Sequence, residues 1–417
     1  MYELNHSMHL LYQTGIFLIA ILLPITRFFS EKMRLFINGR KQTFSVLKQK
    51  INHSHKYIWL HVASLGEYEQ GVPVMEAFKE KHPDYKIVLT FFSPSGYEIK
   101  KNNKIADITI YLPLDTKPNV KQFLDLVQPK MVFFIKYEFW PNYLNELKKR
   151  GVPTYLVSGI FRKDQLFFKE YGGFYRKALT AFCHFFVQNE ESKQLLESIA
   201  FKNVTVHGDT RFDRVAKIVE HVQPLDFIEK FKNNVLTIVI GSSWIDDENV
   251  YLPYLNNSKN IKFIIAPHNI KEDEINKLEQ KINKKVVRYS NYTPNDLSTA
   301  DVFIIDTIGI LTQVYASADI AYVGGAFRTG LHNILEPATY GIPVVIGPKY
   351  EKFQEAKDLV ALGSCLVVNN IEELSNTFNQ LIKNTSLRED LGSKNKYFVL
   401  KNKNATKIVM DFIEKSI

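Results

Sequence analysis

Cysteine is nearly absent from this 417-residue chain, and the two present, Cys183 and Cys365, are far apart and outside any metal-ligand spacing. A disulfide framework and a cysteine-built zinc site are thereby excluded. Charge is missing in one place: across His9–Phe29 (HLLYQTGIFLIAILLPITRFF) the only charged residue is Arg27. A run of about twenty such residues approaches membrane-spanning length. It lacks the leading positive charge and trailing small-residue cleavage site of a secretory signal, so it reads as an uncleaved anchor, with Pro24 placed to kink it. Positive charge follows at Arg27, Lys32 and Arg34, which predicts a cytoplasmic body. A helix lying in the membrane interface and a buried helix of the body are the other readings. Internal repeats and low-complexity tracts are also lacking, which removes solenoids and disordered scaffolds.

What is present is ordinary for a globular protein: 45% hydrophobic and 23% charged residues. The length exceeds the roughly 250–300 residues at which a single core stops growing, so two domains are expected. A net charge of +9 implies an anionic partner: nucleic acid, a membrane surface or a phosphorylated substrate.

Short apolar runs alternate with polar helical stretches from Ile58 onward. Ile58–Val62, Ile87–Thr90, Ile110–Leu112, Met131–Ile135, Thr154–Val157, Phe185–Gln188 and Val204–His207 form one series of predicted strands. Leu236–Ile240, Phe263–Ala266, Val286–Arg288, Val302–Ile305, Ile320–Val323, Val344–Ile346 and Leu366–Val368 form a second. This is the pattern of two doubly wound α/β domains, Rossmann-like, with the boundary near the charged helix Arg211–Val222.

In open α/β sheets ligands sit beyond the carboxyl ends of the strands, so the strand ends are where chemistry belongs. Ser64-Leu65-Gly66-Glu67 puts Glu67 at a helix start just past the first strand. Ser93-Pro94-Ser95-Gly96 offers a capping serine and a first-turn proline after the second. Lys136-Tyr137-Glu138-Phe139-Trp140-Pro141-Asn142 follows the fourth strand, and Arg211-Phe212-Asp213 the seventh. Two carboxylates and a fixed guanidinium on one rim suit the transfer of an acidic sugar. No metal set accompanies them, and His184 and His207 have no ligand-spaced partners.

In the second half, Gly324–Pro348 (GGAFRTGLHNILEPATYGIPVVIGP) reads as glycine-rich loop, helix, glycine turn and strand. His332-Asn333 are placed to cap a helix running from Ile334 through Tyr340, whose free N–H groups would attract phosphate. Glu336 is placed to accept hydrogen bonds from two ribose hydroxyls.

Taken together these strings resemble the Kdo transferases, which move 3-deoxy-D-manno-octulosonic acid (Kdo) from CMP-Kdo onto lipid A precursors. The resemblance covers most of the chain after the anchor and keeps the family's motif order. Ser64–Glu67 resembles the motif of the catalytic base, and Glu138–Asn142 matches the second glutamate of ETELWPN. Arg211-Phe212-Asp213 stands where Lys-Phe-Asp is usual. Ala266-Pro267-His268 resembles a Pro-Arg pair, Ile308-Gly309-Ile310 a Gly-Glu segment, and Asn333-Ile334-Leu335-Glu336 the Asn-x-Leu-Glu string, all CMP contacts in relatives. The departures mark a divergent branch: Lys136 replaces the first glutamate of ETE, Arg211 a lysine, His268 an arginine and Ile310 a glutamate, and the loop before His332 is shortened.

The resemblance implies a GT-B fold, two Rossmann-like domains facing a cleft: an anchor over 1–35, an acceptor-binding domain over 36–215, a CMP-Kdo-binding domain over 216–400, and a helix over 401–417 packing back on the first domain. It implies an inverting transferase that needs neither cofactor nor metal, with Glu67, Glu138 and Arg211 catalytic. Its partners would be CMP-Kdo, a phosphorylated lipid A precursor of the lipid IVA type and the membrane, not nucleic acid. Its place would be the cytoplasmic face of the inner membrane of a Gram-negative bacterium, in lipopolysaccharide core biosynthesis. A GT-B enzyme with another donor, such as a UDP-sugar epimerase, and a non-catalytic membrane-associated nucleotide-binding protein are the alternatives.

Overall fold

A computed structural model describes residues 2–328 and 330–415. The chain divides into two compact units, Met1–Arg214 with Lys403–Ile417, and Val215–Asn402. The first holds a seven-stranded sheet of β1 (Lys56–Val62), β2 (Tyr85–Phe91), β3 (Ile108–Tyr111), β4 (Met131–Ile135), β5 (Thr154–Gly159), β6 (His184–Val187) and β7 (Val204–Val206). The second holds β8 (Thr237–Ser243), β9 (Lys262–Pro267), β10 (Val286–Arg288), β11 (Val302–Ile304), β12 (Ile320–Val323), β13 (Val344–Ile346) and β14 (Cys365–Val367).

Every recorded strand pair is parallel. The runs of Val, Ile, Leu and Phe that made the strands legible are those buried on both faces by crossover helices, as parallel sheets require. The orders are β3-β2-β1-β4-β5-β6-β7 and β10-β11-β9-β8-β12-β13-β14. In each, the connection reverses direction once beside the first strand, between β1 and β4 and between β8 and β12. Those two switch points are where such sheets bind ligands.

The apolar N-terminus forms the helix Tyr2–Leu22, which gives way to a 3-10 stretch, Leu23–Phe28, where Pro24 removes a backbone donor. Ser30 then caps the helix Glu31–Lys50, accepting from the Met33 amide at 3.1 Å. By length and composition Ser7–Phe28 suffices to cross a membrane. It is neither a free anchor nor a core helix. Leu10, Leu11, Phe17, Leu18, Ile21 and Leu22 face outward, while His9, Tyr12 and Gln13 face the rest of the first unit. There the Tyr12 hydroxyl donates to Asp115 at 2.6 Å and Gln13 Nε2 to Asn142 Oδ1 at 2.6 Å, and the His9 ring lies 5.4 Å from that of Phe174. This inverts the usual arrangement of a soluble helix, with apolar side chains exposed and polar ones docked.

The helix Glu31–Lys50 belongs to the same unit, although its start falls within the stretch read as anchor. Thr43 and Leu47 are buried, the Thr43 hydroxyl donates to the Tyr111 carbonyl at 3.0 Å, and Arg40 donates to the carbonyls of Leu112 and Phe92. At the other end of the chain, the helix Ala405–Ile413 sends Val409, Met410 and Ile413 into the core beneath β1, β4 and β6. Asp213 fixes its start by accepting from the amides of Asn404 and Thr406.

Candidate active site

Glu67 lies in the first turn of the helix Leu65–Lys81, which begins two residues after β1. Only 6% of it is exposed. The Ser64 hydroxyl donates to its Oε2, and the Lys136 ammonium stands 3.7 Å from its Oε1. Lys136 reaches it from the end of β4 through a left-handed backbone, φ 72°, a conformation that a residue with a side chain adopts at a cost of order 1–3 kcal/mol. The lysine at the position of the family's first glutamate is thus the partner of the proposed base. Gly96 brings the Ser93–Gly96 segment against this loop: a Cβ there would sit 2.8 Å from the Ser64 carbonyl carbon, so only glycine permits the approach. Ser93 caps the helix Pro94–Lys100 as its sequence predicts.

Glu138 follows on the loop between β4 and the helix Pro141–Lys149. Its Oε2 accepts from Trp140 Nε1 at 3.0 Å and faces His61 Nε2 at 3.3 Å. Asn142, the last residue of this string, is occupied otherwise: its side chain bonds Gln13 of the N-terminal helix and the Asp115 carbonyl. The Asp115 carboxylate accepts from the amides of Asn142 and Tyr143, both at 2.9 Å, and so caps the helix Pro141–Lys149. Burial drives its pKa up to about 7 against these donors.

Arg211 comes from the far edge of the sheet, after β7, but its loop crosses back toward β1. The Thr210 hydroxyl donates to the Gln70 carbonyl at 2.6 Å, and Gln70 Nε2 reaches both oxygens of Asp209 at 3.1 Å. Asp209 holds the guanidinium through Nε at 2.9 Å and Nη2 at 2.7 Å. Burial raises the pKa of this carboxyl and Arg211 more than offsets it, leaving it below the ordinary value. Gln70 lies one turn beyond Glu67, so Glu67, Lys136, Glu138 and Arg211 are tied to one rim of the first sheet. His184 and His207 are both buried, His184 against Phe412 and Thr205, and His207 two residues before Asp209, accepting from the Ser158 amide.

In the second unit the loops after β8 and β12 meet at the switch point. Buried Asp247 joins them, accepting from the amides of Trp244 at 2.8 Å and Gly325 at 2.9 Å and from the Tyr322 hydroxyl at 2.7 Å. Desolvation raises its pKa against those bonds. Gly324 passes so close to the β8 loop that a Cβ would lie 2.6 Å from the Ser242 carbonyl oxygen. Above this junction Trp244, His268 and His332 stack: the Trp244 and His268 rings are 4.2 Å apart and those of His268 and His332 are 4.6 Å apart. Trp244 Nε1 donates to His332 Nε2 at 2.9 Å, and burial brings the His332 pKa down to about 4. Beside the stack, Ser243, Trp244, Pro267, Asn269, Lys277 and Arg328 line a cavity of about 460 Å³.

The helix expected over Ile334–Tyr340 forms one residue shorter at each end. The helix is short, Leu335–Thr339, with Asn333 Oδ1 accepting from the Leu335 amide at 3.2 Å. A five-residue helix has little dipole to offer a phosphate, which removes that reason for an anion site here. Ile334 and Leu335 point into the core. Glu336 is oriented by Asn333 Nδ2 at 3.0 Å and the Thr312 hydroxyl at 2.7 Å. Pro267 ends β9 with His268 next, and Ile308, Gly309 (φ 103°) and Ile310 form an outward loop after β11, with Ile308 exposed. Trp244, Asp247 and His61 escaped sequence reasoning. The spacing of Asp247, three residues after Trp244 at a helix start, was the available signal for the first pair.

Two parallel seven-stranded sheets, each with a switch point beside its first strand, make the GT-B fold. The fold is shared with the UDP-GlcNAc 2-epimerase of Neisseria meningitidis, at a TM-score of 0.60 and 16% identity over 86% of this chain and all of that one. Residues 38–214 match the family described as 3-deoxy-D-manno-octulosonic-acid transferase (kdotransferase). A 3-deoxy-D-manno-octulosonic acid transferase of Chlamydia pneumoniae is 26% identical over 85% of this chain and 84% of its own length. A bifunctional glycosyltransferase/methyltransferase of Fusobacterium nucleatum is 27% identical over 88% of this chain, which spans 58% of that longer protein. The chain is thus similar to the Kdo transferases, through the family match in its first unit and through relatives along most of its length.

Proposed function

We propose that this protein transfers Kdo from CMP-Kdo to a sugar hydroxyl of a phosphorylated lipid A precursor of the lipid IVA type, with inversion at the anomeric carbon. The carrying observation is the placement of Glu67: a carboxylate at the first sheet's switch point, oriented by Ser64 and Lys136. Glu67 takes the acceptor proton as that oxygen bonds to the anomeric carbon, and the bond from that carbon to the CMP phosphate oxygen breaks. A positioned base contributes typically 10²–10⁴-fold. Arg211, rigid on Asp209, and Glu138 complete the rim and balance developing charge. Glu336, prearranged by Asn333 and Thr312, takes the CMP ribose, with Pro267, His268 and the Ile308–Ile310 loop around the nucleotide.

The outward apolar face of Ser7–Phe28 and the net charge of +9 suit work at the cytoplasmic face of an inner membrane, where an anionic lipid acceptor is embedded. The test is incubation of the purified protein with CMP-Kdo and a tetraacylated lipid A precursor. A product lipid heavier by one or more Kdo residues is expected. Release of free Kdo without a heavier lipid, or epimerisation of a UDP-sugar instead, overturns the assignment.

A further inference from the structure

We infer that His61 is a positioning residue for Glu138, held with its proton on Nε2 by a buried chain of hydrogen bonds that begins at the Trp59 indole. This rests on the place given to Glu138 in the transfer reaction above.

His61 and Thr90 are both wholly buried, on the adjacent strands β1 and β2 and in register with one another. A histidine in the middle of a parallel strand has to be satisfied from inside the protein, because an unpaired ring nitrogen there is costly. Five contacts make up the chain. Trp59 Nε1 donates to Thr90 Oγ1 at 2.8 Å, and Thr90 Oγ1 lies 2.8 Å from His61 Nδ1. His61 Nε2 lies 3.3 Å from Glu138 Oε2, and Trp140 Nε1 lies 3.0 Å from that oxygen and 3.2 Å from His61 Nε2.

Counting donors against acceptors fixes the tautomer. An indole has only a proton to give, so Thr90 Oγ1 accepts from Trp59. With the imidazole proton on Nε2, the Thr90 hydroxyl donates to Nδ1, Nε2–H donates to Glu138, and the Trp140 indole donates to the same carboxylate. Every proton then has its own acceptor. With the proton on Nδ1 instead, Thr90 Oγ1 receives two donors, and no recorded contact takes its own proton. The bare Nε2 would then accept from the Trp140 indole, and the contact between His61 and Glu138 would carry no proton. Protonating both nitrogens leaves the Thr90 hydroxyl equally orphaned. The neutral Nε2–H form is therefore the one that the surroundings support.

The consequence lies at Glu138. One of its oxygens is gripped from two sides by groups rooted in the sheet core, His61 on β1 and Trp140 at the head of a helix. That leaves Oε1 as the oxygen available to substrate, pointed by the grip of His61 and Trp140 on Oε2. A histidine that merely filled space would have no bearing on how that carboxylate is oriented.

The test uses the full-length protein in detergent, labelled with ¹⁵N at histidine. The spectrum of the wild type should show His61 with a bare Nδ1 and a protonated Nε2, and Thr90→Val should lose that pattern. With CMP-Kdo and lipid A precursor as substrates, His61→Leu should lower kcat roughly 10- to 100-fold, the range seen when a group that orients a ligand from behind is lost. KM for CMP-Kdo should hold. His61→Gln, which keeps a donor near the Nε2 position, should recover part of the loss, and His61→Leu should cost nothing further in a Glu138→Gln background. Thr90→Val should itself lower kcat, which covers the case in which His61→Leu fails to fold. A wild-type spectrum with the proton on Nδ1, or folded His61→Leu protein with wild-type kcat, overturns the inference. A wild type inactive on CMP-Kdo while His61 shows the expected tautomer overturns the transfer reaction instead and leaves the hydrogen-bond chain standing.

Discussion

The hydroxyl of Tyr12, on a helix with an apolar outer face, donates to the buried carboxylate of Asp115 at 2.6 Å. The same carboxylate caps the helix that begins with Pro141 and Asn142. The N-terminal helix is thereby part of the first unit's polar structure. Deleting residues 1–29 should strip a donor from Asp115 and Gln13 from Asn142, and lower the melting temperature of the remainder in detergent. CMP binding, which the proposed function places in the second unit, should persist. Equal melting temperatures for full-length and truncated protein would show that the docking adds nothing.

Asp115 also predicts a pH dependence. Its pKa is raised from the usual carboxylate value to about 7, so the folded state holds its proton more tightly than the unfolded chain. The stability this supplies is complete below about pH 4 and is lost as the pH rises through about 7. Asp115→Asn cannot titrate, and it sets an amide donor against a backbone N–H. Between pH 5 and 7.5 the wild type should lose on the order of 2 kcal/mol relative to this variant. Chemical denaturation at both pH values measures it, and a difference that grows in favour of the wild type with rising pH would mean that the carboxylate is held ionised.

Glu67→Gln keeps the shape and most hydrogen bonds of the side chain and removes its capacity to accept a proton. Turnover should fall by at least about 10²-fold while CMP-Kdo affinity and melting temperature hold. Near-normal kcat would remove Glu67 from the reaction.

Glu336→Ala should weaken CMP binding by roughly 1–3 kcal/mol, since ribose hydroxyls would lose a fixed acceptor. Calorimetric titration decides this, and unchanged affinity would leave Glu336 as the partner of Asn333 and Thr312 alone.

Gly324→Ala forces a methyl to 2.6 Å from the Ser242 carbonyl oxygen and 2.8 Å from the Asp247 carboxylate. Overpacking of this kind costs typically 1–3 kcal/mol, and here it would also part the two loops at the second switch point. A lower melting temperature together with weakened CMP binding is expected. A variant with normal stability and binding would show that the loops yield freely.

All fourteen strands were legible because parallel strands buried on both faces must be written in continuous apolar residues, which leave little ambiguity between polar helices. The motifs at the strand ends were legible through glycine, proline and capping residues. What stayed hidden was pairing at a distance. Nothing in the sequence says that Lys136 turns back to Glu67, because that depends on one left-handed residue. Nor does it say that the loop at Arg211 crosses over to Gln70. His61 was masked by its strand, whose continuous burial gives no hint that one polar residue in it has partners on both sides. The helix after His332 was legible from its ends, with Asn333 before its start and Gly341, at φ 75°, just past its finish.

The helix Ala405–Ile413 has a consequence for synthesis. Its side chains complete the core under β1, β4 and β6, yet residues 215–402, a whole unit, are made between it and the rest of that core. On the ribosome the first sheet must wait, with the apolar surface under those strands uncovered, until the second unit has been translated. Domains that fold as they emerge leave nothing outstanding. This one holds its first unit open to chaperones and proteases for the length of another domain, so a chain interrupted between Arg214 and Lys403 carries an unfinished core.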